Sequence, residues 1–236
     1  MTLESQDTES PVGLVAGTAD LPGDAIRVRK LSLNASFTDG AQWPPSAPNK
    51  PKLQPIFVTI ALSHSIAAAA ATDNLEHSIN YSTVSNLAID ACQSRAFTST
   101  EDLVDELHKR CAAAFPGVPR FEVTVTRPKG LLQPGSVEVT SVRSRNAANF
   151  EETLAILGME CIPIIGINDC ERVQRQSVRF DVHVRRTAPT SSSGPGFAFR
   201  DLYLGILNVR IIHLVIAGEL ADEAECRPLM RRGTLR

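Results

Sequence analysis

The stretch IPIIGINDCERVQRQSVRFDVHV, residues 162–184, decides the fold. It opens on an apolar run, reaches Gly166, passes through a short polar loop carrying Glu171, and resumes after Gln176 as an alternating strand. An apolar run on one side of a polar loop and an alternating run on the other mark two strands that return on each other. Residues 26–62 form a more worn copy of that unit. Apolar positions from Ile26 to Leu33 lead into a longer loop, then to Gln54 and a strand over 55–62. The loop contains Pro44, Pro45, Pro48, Pro51 and Pro55, and each proline withholds a backbone donor and fixes φ, so no regular element crosses it. In the strand, Ile56, Val58, Ile60 and Leu62 alternate with Phe57, Thr59 and Ala61, a composition that predicts burial on most of both faces.

Between the two copies the period changes. The alanine run 67–71 reads as a small-residue connector. Val84, Leu87, Ala88, Ala91 and Cys92 fall at helical spacing, which predicts a helix over 82–96 with one buried stripe. A second helix begins near TSTE (98–101), where a hydroxyl followed three residues later by Glu fits a capping box. Its stripe is Leu103, Val104, Leu107, Cys111 and Phe115, and Pro116–Gly117 ends it. Two alternating strands follow, around Phe121, Val123 and Val125 and around Val137 and Val139. The predicted organisation is a disordered leader over 1–24, a β-β-α-α-β-β unit over 25–145, a linker over 145–152, a partial second unit over 154–186, and an unmatched tail over 187–236 that opens on a flexible segment. The fold class is α+β: an antiparallel four-stranded sheet with two helices on one face, plus a strand pair that adds to it or abuts it.

Composition narrows the function. A formal net charge of −2 gives no broad electrostatic footprint for nucleic acid or an anionic membrane. The apolar stretch 202–217 is short for a membrane span and contains Asn208, Arg210 and His213, so no membrane partner is expected. The five cysteines have no CxxC or paired spacing, which suits free thiols in a reducing cytoplasm. Cys161, Cys170 and His183 fit no common zinc spacing, and no metal site is assigned.

TDNLEHSINY (72–81), TSTEDL (98–103), VTVTRPKG (123–130) and GINDCERVQRQ (166–176), in this order and spacing, resemble dihydroneopterin aldolase, in particular the tandem fungal form at the start of a folate-synthesis polypeptide. The resemblance covers about 26–145 as one module and 154–184 as the opening of another. It implies a tunnelling fold whose modules pair edge to edge into rings, and hence a homo-oligomer with sites between modules. It also implies retro-aldol cleavage of dihydroneopterin to 6-hydroxymethyl-dihydropterin and glycolaldehyde. No metal, Schiff-base lysine or other cofactor is implied, because the pterin ring accepts the electron pair released on cleavage. Two other outcomes stay open: epimerisation of the same substrate, and a non-catalytic pterin-binding partner module.

By the resemblance, Glu101 is the pterin anchor, and a carboxylate suits that role because its two oxygens accept parallel hydrogen bonds from an amino-pyrimidinone edge. Taken without the resemblance, Glu101 is only a capping-box residue. Tyr81 matches a tyrosine that handles the side-chain hydroxyl proton; otherwise it is packing at a helix entrance. Asn80 and Thr100 join Glu101 as substrate-binding candidates, while Asp73 and His77 suit turn and cap roles. Two positions depart from the family. Arg127 stands where the family has a lysine, and Asn49 stands five residues before Gln54, where a glutamate is expected. A guanidinium keeps its proton where a lysine can release one. Lys129 lies two residues on, across Pro128. Glu171, five residues before Gln176, keeps the glutamate of the motif, so a composite catalytic set of Tyr81, Arg127 and Glu171 is expected. The alternative for Glu171 is a solvated loop.

Overall fold

The structure is a computed structural model that describes residues 23–39, 50–128, 130, 135–162 and 177–189. The leader up to residue 22, Asn49, Lys129, Cys170, Glu171, Gln176 and the tail from 190 lie outside the described residues.

Among the described residues seven strands form one sheet in the order β3-β1-β2-β4-β5-β6-β7. The strands are β1 (Ala25–Phe37), β2 (Lys52–Ser63), β3 (Ala96–Phe97), β4 (Arg120–Arg127), β5 (Ser136–Ser144), β6 (Asn149–Cys161) and β7 (Val178–Pro189). All neighbours are antiparallel except the two-residue β1–β3 pair. The expected four-stranded sheet therefore extends into a single sheet of seven, because β6 pairs with β5 along Ser136–Val142 instead of merely abutting it. The segment read as a linker divides: a turn follows β5, and the strand begins at Asn149. Phe150, Leu154 and Ile156 explain this, since alternating apolar side chains continue the buried face. β7 likewise runs through Thr187 to Pro189, which the composition had marked as flexible.

Among the described residues three α-helices lie between the strands: α1 (Ala67–Thr72), α2 (Tyr81–Ser94) and α3 (Thr100–Ala114). The alanine run is α1, which buries nothing. α2 packs on β1, and α3 packs on β4 and β5. Val84, Ala88, Ala91 and Cys92 of α2 and Leu103, Val104, Leu107 and Cys111 of α3 share one core with Ile56, Val58, Ile60 and Leu62 of β2. Burying such side chains contributes roughly 1.5–3 kcal/mol each. The register places Val58 beside Val125, Val125 beside Val139, and Val139 beside Leu154, so one face is apolar across four strands. Along β2 the opposite face is only partly covered: Ala61 is buried but Phe57 is exposed, so its apolar composition overstated the burial. Thr124–Thr140 and Thr126–Glu138 hydrogen bonds run across that face between β4 and β5.

Two β-bulges shape the sheet. Between Val28 and Leu31 of β1 an extra residue faces β2, Lys30 takes φ 50°, and its N–H is accepted by Thr59 Oγ1. Between Ile156 and Met159 of β6 the same happens opposite β7. There Gly158 takes φ 66°, and its N–H is accepted by Asp181 Oδ1.

Candidate functional site

The TDNLEHSINY segment is held by its own short polar side chains. Asp73 ends α1 in the left-handed region at φ 53°, and Asn74 Oδ1 accepts from Glu76 N–H. Asn80 caps α2, its Oδ1 accepting from Ser82 N–H at 2.8 Å. That bond uses the Asn80 side-chain oxygen locally. The backbone carbonyl of His77 receives the ring of His64. Tyr81 opens α2 with 68% of its surface exposed.

At α3 the cap falls one residue later than the sequence suggests. Ser99 is the N-cap, and its Oγ accepts from Asp102 N–H at 3.2 Å. The Asp102 carboxylate reaches back to Thr98 N–H and its hydroxyl and pairs with Arg95. The Arg95 hydrogen bonds lead in holding the Asp102 carboxyl down at about 2. The cap is therefore Ser99 with Asp102. Glu101 is instead buried, at 7% exposure, in the first turn of a helix, where free N–H groups and the macrodipole favour an anion.

Thr100 and Arg127 are brought together beside it. Arg127 ends β4 at 1% exposure, and its guanidinium is fully engaged. Nη1 and Nη2 donate to Asp39 at 2.5 and 3.3 Å, Nε and Nη2 donate to Gln54 Oε1 at 3.2 and 2.9 Å, and Nη1 donates to Thr100 Oγ1 at 3.1 Å. The group also lies 4.0 Å over the Phe37 ring. Asp39 and Phe37 went unnoticed in the sequence because a strand-end Phe and a loop Asp carry no spacing signal. Gln54, seen there only as a motif marker, is one of the arms that hold Arg127.

A second polar group lies where α3 crosses onto the later strands. Asp105 pairs with Arg143, whose guanidinium lies over Phe150. His108 Nε2 donates to the Ser141 carbonyl. Glu152 of β6, 2% exposed, pairs with Arg186 of β7. Burial leads in raising the Glu152 carboxyl pKa; Arg186 draws it back, and Glu101 and Asp105 add to the rise. Cys92 and Cys111 are free thiols pushed up by burial to about 11 and about 12, so they stay protonated and inert. A cleft of about 700 Å³ opens at the end of β4 and the β6 bulge, lined by Pro128, Gly135, Gly158, Arg179 and Asp181 among others. Of the six candidates, Thr100, Glu101 and Arg127 gather at the start of α3. Asn80 and Tyr81 stand at the exposed start of α2, and Glu171 lies outside the described residues.

An antiparallel sheet with helices on its apolar face and a buried carboxylate at a helix start make this an α+β module. Residues 46–142 match the family FolB: Dihydroneopterin aldolase, so the resemblance read from the motifs is shown over those residues. The folic acid synthesis protein fol1 of Schizosaccharomyces pombe is 25% identical over 170 residues, spanning 71% of this chain and 22% of that protein. The chain thus spans about a fifth of the length of that curated relative. A dihydroneopterin aldolase of Methylorubrum extorquens is 23% identical over 102 residues, which is 42% of this chain and 78% of that protein. Among solved structures, a hyper-thermostable uricase mutant aligns with a TM-score of 0.52 at 13% identity, over 81% of this chain and 68% of that one. Identity that low speaks for the fold alone.

Proposed function

We propose that this chain is a dihydroneopterin aldolase-type module of folate synthesis that cleaves dihydroneopterin to 6-hydroxymethyl-dihydropterin and glycolaldehyde. The observation that carries this reading is Glu101, a carboxylate buried in the first turn of α3, next to the Ser99–Asp102 cap. A carboxylate at a helix start suits the amino-pyrimidinone edge of a pterin, whose parallel N–H groups a carboxylate can receive. Thr100, bonded to Arg127, sits next to it, and Asn80 places Tyr81 from α2. Arg127 cannot release a proton and is held by Asp39, so its part is to fix the floor of the site with a constant positive charge. Proton movement falls to Tyr81 and to Glu171, with Tyr81 contributed to a neighbouring module's site, in keeping with its exposure.

The tandem reading draws support from the two bulges. Thr59 and Asp181 each lie five residues after the motif glutamine, Gln54 or Gln176, and each side chain accepts the bulged N–H of the preceding strand. β1–β2 and β6–β7 then correspond, and the β5–β6 pairing is the edge-to-edge junction of two modules within one chain. The engaged state of Arg127 favours a second reading, a pterin-binding module that needs a partner chain for turnover.

Incubation of the purified chain with dihydroneopterin separates these. Glycolaldehyde release supports the aldolase, and a changed stereocentre without cleavage means epimerase. Binding without turnover means a partner module. Glu101→Gln is expected to weaken neopterin binding by about 2–4 kcal/mol, because a charged bidentate acceptor is lost. Unchanged affinity by calorimetry would remove Glu101 from the site.

A further inference from the structure

The two bulges close in the same way but carry different neighbours. At the first, Thr59 accepts the bulged N–H, and two residues before it on the same face of β2 stands Phe57. At the second, the acceptor is Asp181, and the residue two before it on β7 is Arg179. A neutral hydroxyl thus suffices to close a bulge of this kind, and the two opposite charges at the second call for another reason. Asp181 Oδ1 receives the Gly158 N–H at 2.5 Å. The Arg179 guanidinium lies against the same glycine: a Cβ on Gly158 would stand 3.0 Å from Nη2 and 3.4 Å from Nε. Glu160, the register partner of Arg179, accepts from Ser177 Oγ instead. Among the described residues no hydrogen bond or ion pair engages the guanidinium or joins it to Asp181.

Both charges line the cleft of about 700 Å³, a volume inside the range of roughly 300–1,000 Å³ that small-molecule pockets occupy. Its apolar walls include Pro128, Leu157 and Phe180. Thr100, Glu101 and Arg127 are not among its lining residues, so it is separate from the cluster at the start of α3. We propose that this cleft binds an α-amino acid with an apolar side chain, as its zwitterion. The carboxylate takes the planar fork of Arg179, and the ammonium takes the Asp181 oxygen that the Gly158 N–H leaves open. The side chain packs on the apolar walls. Side chains two apart on a strand are separated by about 6.5 Å, so a ligand with both charges on one carbon fits between them. Gly158 keeps the guanidinium in place, because a side chain there would displace it. None of this depends on the pterin reading.

The test is an amide NMR titration of the purified full chain with L-leucine as the probe. Two analogues run beside it: isocaproate, which lacks the ammonium, and isopentylamine, which lacks the carboxylate. L-leucine should give saturable shifts centred on the amides of Gly158, Arg179 and Asp181, with affinity about tenfold or more lower for each analogue. Arg179→Gln and Asp181→Asn should each weaken L-leucine by about the same factor. The asparagine keeps an acceptor for the Gly158 N–H, so the bulge stays closed. Absence of saturation, shifts away from the cleft, or equal affinity for L-leucine and either analogue would overturn the proposal. Saturating neopterin should leave the L-leucine shifts in place. Displacement of L-leucine would make the cleft part of the pterin site and overturn it as a separate one.

Discussion

Arg127 is the buried charge at the end of β4 around which the polar groups gather. Its five N–H donors meet Asp39, Gln54 and Thr100, so the charge is compensated but not mobile. Asp39→Asn would leave a buried guanidinium without its counter-charge and is expected to cost about 3–5 kcal/mol in urea unfolding. A loss below 1 kcal/mol would show that the pair is dispensable. His108 gives a separate pH signature. Burial, then the Arg143 charge, hold its pKa down at about 3, against a bond to the Ser141 carbonyl. The unfolded chain binds a proton at about pH 6.5 that the folded chain refuses until about 3. Stability is therefore complete above pH 6.5 and falls by up to about 1.4 kcal/mol per unit as pH drops through that window. Asp102 acts lower, since its contribution is lost only as pH falls from 3.8 toward about 2. Urea midpoints between pH 6.5 and 4.5 should slope in the native chain and flatten in His108→Gln. Equal slopes would clear His108 of the effect.

At the scale of elements, much was legible because single-residue chemistry dictated it. The stripes of α2 and α3 and the alternation of β2, β4 and β5 emerged from period alone, since one face of each must leave water. The start of α3 was located to within a residue, but Ser99 and Asp102 outcompeted Thr98 and Glu101 for the cap. Local spacing cannot decide that contest. β6 was partly hidden, because its polar start, with Glu151 and Glu152, fell within the segment read as a linker until β5 and β7 flank it. Glu152 could not be foreseen as buried, since its partner Arg186 is 34 residues away. The β5–β6 junction also depends on a glycine. A Cβ on Gly135 would lie 2.5 Å from the Leu157 carbonyl oxygen, a backbone atom that cannot turn aside. Gly135→Ala should cost about 1–3 kcal/mol, as overpacking does, with amide exchange rising first along β5 and β6. An unchanged thermal midpoint would mean the strands separate there at no cost.

For the whole molecule, sheet order sets the partner. Among the described residues β7 is the outermost strand on one side, paired only with β6, and β1 is covered by β3 only at Ser36 and Phe37. Twelve residues of β7 and most of β1 thus present outward backbone groups among the described residues. Long unpaired edges pair with another chain unless something covers them. Inside the chain β5 and β6 are already paired with each other. A second copy is the simplest source of a further strand, and a closed ring leaves no edge open. The expected outcome is a homo-oligomer at micromolar concentration, with a light-scattering mass a whole multiple of 25.5 kDa. Amides of β7 should exchange slowly in the assembly and quickly on dilution to monomer. Neopterin affinity should fall with the same dilution, because Tyr81 then has no neighbouring site to enter. A monomer that binds neopterin at full affinity would refute both the assembly and the shared site.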